Sequence, residues 1–149
     1  MKVPTLILTW VFIFLLCPNS YAGDAEDLRD AAWKGDISTV RTLLSKGADV
    51  NAKLNDGETA LMWASMFDCL DIVQVLLANG SDVNTQDDRG MTVLMLASST
   101  GQLYLAQALL AKGADMDTKD NHGDTALSLA EEKGHSDVAH LLIKAGAKE

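Results

Sequence analysis

The chain has 149 residues, 48% hydrophobic and 5% aromatic, a composition that fits one folded, helix-rich domain and excludes a disordered tail. Its 21 acidic and 12 basic side chains give a formal charge of −9. That charge makes nucleic acid and anionic membrane surfaces poor partners, and in its plainest reading it serves solubility.

Residues 1–22 carry the three-part layout of a secretory leader. Lys2 supplies the positive end, Leu6 to Leu16 the apolar run, and Cys17-Pro18-Asn19 the break; Ser20-Tyr21-Ala22 then presents small residues at alternate positions. The apolar run is too short to span a bilayer, which takes about 20 residues. Cleavage is therefore predicted after Ala22, leaving 23–149 as an exported domain that has no membrane attachment. Loss of Lys2 takes the charge from −9 to −10. Cys17 as a lipidated cysteine is the rival reading, but Leu16 stands where such a signal needs a small residue. Cys69 is the cysteine that remains after cleavage, so no intrachain disulfide is expected.

From residue 24 onward the sequence repeats itself. Gly47, Gly80, Gly113 and Gly146 stand 33 residues apart, and Leu28, Leu61, Leu94 and Leu127 keep the same step, as do Ala31, Ala64, Ala97 and Ala130. The units fall at about 24–54, 55–87, 88–120 and 121–149. The first lacks a hairpin and opens with Asp24, Glu26 and Asp27, acids suited to a helix N-terminus, so it reads as an N-terminal cap. In each later unit a threonine (Thr59, Thr92, Thr125) precedes the first helix and can cap it. The second helices carry apolar stripes at helical period: Ile72, Val73, Leu76 and Leu77; Leu105, Ala106, Leu109 and Leu110; Val138, Ala139, Leu142 and Ile143. Trp63 takes the place of Leu96 and Leu129 and is expected in the core. Helices this short need burial against a neighbouring unit. Turns such as Gly47-Ala48-Asp49-Val50-Asn51 and Gly80-Ser81-Asp82-Val83-Asn84 then lead to Asp/Asn-rich hairpin tips.

The Thr-x-Leu-x-x-Ala helix starts and the Gly-Ala-Asp-Val-Asn turn resemble those of ankyrin repeats, over about residues 25 to 149. The resemblance implies an all-α solenoid of about four helix-turn-helix units joined by short β-hairpin-like loops, and a function in binding rather than catalysis. The chain departs from the family pattern in places. Ala60, Val93 and Ala126 replace the usual proline, and Met62, Met95 and Ser128 the usual histidine. Both losses should soften the stack. Asp68 stands where Gly35, Gly101 and Gly134 suggest a left-handed backbone, a strain on the order of 1 kcal/mol. The last unit carries only modest polar decoration on its second helix.

No nucleophile, base and orienting group fall into a recognisable constellation, and neither a phosphate loop nor a His-Glu-x-x-His pair occurs. Cys69 reads as a turn filler with thiol chemistry as its alternative, His135 as a turn stabiliser, and His140 as a surface residue. His122 with Asp120 and Asp124 makes a weak metal site at best. Neither a cofactor nor a metal is expected.

By the family's layout, the concave face presents Trp33 and Lys34, then Asn55, Asp56, Glu58, Met66 and Phe67, then Asp88, Arg89 and Met91, and finally Asn121, His122 and Asp124. Trp33, Met66, Phe67 and Met91 gather in its N-terminal half as anchors for a partner protein, unless Trp33 and Phe67 fold back over the neighbouring loop. The expected protein is a non-catalytic binding module that assists, protects or inhibits a partner. Its expected destination is the periplasm, with release from the cell as the alternative. The competing readings are a thiol-dependent enzyme centred on Cys69 and a scaffold that weakly self-associates through its last unit.

Overall fold

The computed structural model describes residues 21–148, so the leader assigned to 1–22 lies almost wholly outside the described residues. Eight helices run in pairs among these residues: α1 (Tyr21–Lys34) with α2 (Ile37–Ser45), α3 (Ala60–Met66) with α4 (Leu70–Ala78), α5 (Val93–Thr100) with α6 (Leu103–Ala111), and α7 (Ala126–Glu132) with α8 (Ser136–Ala145). The first helices stack in the order α1, α3, α5, α7, and the second helices form an outer layer behind them. No strand forms among the described residues; each tip is instead a tight reversal, closed by Leu54 N–H to Glu58 O at 2.9 Å, Asp87 N–H to Met91 O at 3.0 Å and Asp120 N–H to Asp124 O at 3.0 Å.

Each first helix starts as its sequence dictates. The hydroxyls of Thr59, Thr92 and Thr125 accept from the backbone N–H of Met62, Met95 and Ser128 at 3.4, 3.3 and 3.2 Å. In the third and fourth units the substituted residue answers back: Met95 Sδ accepts from Thr92 N–H at 3.5 Å, and Ser128 Oγ from Thr125 N–H at 2.9 Å. The capping box therefore survives loss of the histidine. In the first unit α1 begins at Tyr21, so Asp24 lies in its first turn while Glu26 and Asp27 lie beyond it.

One continuous core runs the length of the stack. Leu28, Leu61, Leu94 and Leu127 are buried, as are Ile72, Leu76, Leu105, Leu109, Val138 and Leu142 of the outer layer. Two apolar positions differ from expectation. Trp63 is only half-buried, because its ring is too large for the slot that Leu96 and Leu129 fill and turns outward onto Phe67. Ile143 stays 46% exposed on the outer flank of α8, where no described residue covers it.

Neighbouring units are also tied by polar rungs. Asn51 donates to Gly80 O at 3.2 Å and accepts from Asp82 N–H at 2.7 Å; Asn84 does the same with Gly113 O at 3.3 Å and Asp115 N–H at 2.7 Å. At the tips, Asp88 N–H donates to Asp56 O at 2.9 Å and Asn121 N–H to Arg89 O at 3.0 Å. This closeness requires glycine at Gly90, where a Cβ would lie 2.9 Å from the Asn121 nitrogen.

The fourth unit carries polar groups where the second and third carry buried ones. Positions held by fully buried Met62 and Met95 become Ser128, and those held by buried Ser65 and Ser98 become exposed Glu131. The flank of α7 away from α5 is thus more polar than the decoration of the second helix alone suggests.

Candidate partner-binding face

The concave side is built by the exposed flanks of α1, α3, α5 and α7 together with the tips. At the end of α1, Trp33 is 42% exposed; at the end of α3, Phe67 is 51% exposed. Their ring centroids are 6.0 Å apart, and Phe67 stacks on Trp63 with centroids 6.0 Å apart and planes 13° from parallel. The three rings make one apolar surface spanning the first two units. Neither Trp33 nor Phe67 is sequestered under a neighbouring loop; they lean on each other and stay open to solvent.

Charged groups border the rings. The Arg29 guanidinium sits 5.7 Å from the Trp63 ring centre and is held there by a 2.7 Å pair with Asp30, while the Lys34 ammonium lies 5.6 Å from the Trp33 ring centre. The Arg29 hydrogen bond holds the Asp30 carboxyl below the usual range. Glu58, half-buried beside Trp63, is pushed up by burial and by the Asp56 charge, with Arg89 offsetting part of the rise. The Trp63 indole N–H faces Glu58 closely enough to lower its pKa slightly, yet no acceptor meets it with hydrogen-bond geometry.

The tip of the third unit is organised by Asp87, which sequence reasoning passed over. This carboxylate is buried and accepts from the backbone N–H of Arg89 and Met91 at 2.9 and 2.8 Å and from the Arg89 guanidinium at 2.7 Å. Arg89 also reaches Glu58 of the preceding unit at 3.1 Å. The Asp-x-x-Gly spacing of Asp87 and Gly90, repeated at Asp120 and Gly123, was the available signal.

The remaining expected contact residues divide by burial. Lys34, Asn55, Asp56, Asp88, Arg89, Asn121 and His122 are exposed. Met66 and Met91 are partly buried and pack on the core, so they support the face rather than project from it. Asp124 is half-buried, and Asp120 accepts from the backbone of both His122 and Asp124 at 2.8 and 2.9 Å. That carboxylate is thus committed to closing the tip. No helix among the described residues is long and apolar enough to cross a membrane.

The inter-helix turns show a second kind of bridge. His135 Nε2 lies 3.1 Å from Ser99 O, and Gln102 donates to Ser65 O at 2.9 Å, each joining its unit to the one before. Cys69, at the same register, packs beside Gly35 of the preceding unit but donates only to Phe67 O of its own turn, at 3.6 Å, and makes no hydrogen bond across units among the described residues. An open depression lined by Gly35, Asp68 and Cys69 remains in front of it. Burial, and then the Asp68 charge, raise the Cys69 pKa. The thiol therefore stays protonated at neutral pH, a poor state for a nucleophile.

A family model for ankyrin repeats matches the chain in three copies, over residues 28–120 and 70–149. The chain belongs to the ankyrin-repeat family. No curated protein matches it closely enough to count as a relative. Ankyrin repeats are in general modules for binding other proteins and are typically not enzymes, which agrees with the architecture of this face. Within that family this chain departs at Cys69, where the cross-unit bridge is missing, and at Met62 and Met95, where buried thioethers replace a polar ring.

Proposed function

We propose that this ankyrin-repeat chain is an exported, non-catalytic module that captures another protein on its concave face and thereby assists, protects or inhibits it. The observation that carries the reading is the contact between Trp33 and Phe67, two rings 42% and 51% exposed that meet at 6.0 Å over a rigid core. Exposed aromatic anchors held by their own scaffold lose little side-chain entropy on binding. Export rests on the leader layout of residues 1–22, and the periplasm is the compartment this reading assigns. Thiol chemistry at Cys69 is disfavoured by its raised pKa, and self-assembly through the last unit by the polar Ser128 and Glu131 on its first helix.

The test is affinity capture with tagged residues 23–149 from the exported fraction of the source cells, beside a Trp33→Ala/Phe67→Ala variant. One stoichiometric partner, lost in the variant while its unfolding transition is retained, supports the reading. Equal capture by both forms moves the site off this face, and an empty capture overturns the binding role. An N-terminus at Gly23 in the exported protein checks the leader.

A further inference from the structure

We propose that the segment seated on this face is basic: an extended or helical stretch of a partner protein whose Arg or Lys side chains stack on Phe67 and Trp33 and pair with the carboxylates at the tips of the second and third units. The inference rests on the concave-face reading above and adds the chemistry of the partner to it.

The aromatic surface already shows its preference for cations. Its two tryptophans each hold one of the chain's own, Arg29 over Trp63 and Lys34 over Trp33, while Phe67, stacked on Trp63 yet 51% exposed, has no cation over it among the described residues. The charge beside the rings points the same way. Asp56, Glu58, Asp87 and Asp88 face one another across the two tips, with Arg89 the one cation paired among them, shared between Glu58 at 3.1 Å and Asp87 at 2.7 Å. Asp56 and Asp88 are exposed and have no ion-pair partner among the described residues. The crowding is felt at Glu58, whose carboxyl is raised by burial and by its acidic neighbours. An arriving cation relieves that repulsion as it covers the rings.

An acidic segment finds less here. Arg29 is occupied by Asp30 at 2.7 Å and Arg89 by two carboxylates, and Lys34, already over Trp33, is the cation at the rings without an ion pair among the described residues. The formal charge of −9 also draws basic partners from a distance.

Selection of random twelve-residue peptides on immobilised residues 23–149 tests this; the buried core of the described residues lies within 28–142. Enriched peptides are then titrated at rising sodium chloride against the parent, Phe67→Ala, and Asp56→Asn/Asp88→Asn forms. The expected result is a pool of net positive charge whose affinity drops at least about tenfold in Phe67→Ala, several-fold in the double variant, and steadily with salt. Neutral or acidic peptides that still depend on Phe67 overturn the basic partner and leave the face standing. Basic peptides indifferent to Asp56 and Asp88 also overturn it. Peptides indifferent to Phe67, or no enrichment, overturn both the chemistry and the face.

Discussion

Asn84 holds Asp115 across the boundary between two repeats: its side-chain oxygen accepts from the Asp115 backbone N–H at 2.7 Å while its amide donates to Gly113 O at 3.3 Å. Asn51 forms the same rung with Asp82 and Gly80. The next position in register is Asp117, whose ionised carboxylate can accept but has no hydrogen to offer a carbonyl. Asp117→Asn is therefore expected to complete a third rung and raise stability by about 1 kcal/mol, whereas Asn84→Ala should cost about 1 to 2 kcal/mol. Urea unfolding at constant m-value measures both.

Asp68 is the one non-glycine among the described residues with a positive φ, 55°, where the other inter-helix turns use glycine. Asp68→Gly is expected to stabilise the protein by about 1 kcal/mol, because the left-handed strain removed exceeds the added freedom of the unfolded chain. It also removes a charge that raises the Cys69 pKa. A lower midpoint in chemical unfolding contradicts this account.

Asp87 is buried with its two oxygens accepting from Arg89 and from the backbone of Arg89 and Met91. Removing it strands those donors, so Asp87→Ala is expected to cost roughly 2 to 4 kcal/mol. Because Arg89 also meets Glu58, the same change should loosen the join between the second and third units. Amide exchange would show this as lost protection at Arg89 and Met91, and unchanged protection there would remove Asp87 from its central place in the tip.

The Cys69 thiol has its pKa raised by burial and by Asp68. At any pH below that raised value the folded protein then holds less thiolate than the unfolded chain. Alkylation at pH 8 is expected to run several-fold slower in native protein than in denaturant, and to accelerate as the pH climbs past the ordinary thiol range. The linked stability runs in the same sense: it is fully present below the unfolded pKa and is lost as the pH rises through the folded one. A native thiol that reacts as fast as the denatured one contradicts the burial argument.

The recurrence of glycine, leucine and alanine every 33 residues was enough to establish the repeat, the helix pairs and the threonine caps, because backbone hydrogen bonding and helical period are local properties that each unit states again. The exposure of Asn55, Asp56, Asp88, Asn121 and His122 was also legible from their places in that repeat. What each side chain does there was decided by neighbours distant in sequence. Trp63 was expected in the core with Leu96 and Leu129 and instead turns half-outward to stack on Phe67. Met66 and Met91 were expected as anchors and instead pack against the core. Asp87 carried no apolar signal, yet it is buried because four donors converge on it. A periodic pattern tells which face a residue lies on; whether it is covered there depends on the volume and polarity of what the next repeat brings against it, and only the assembled stack determines that.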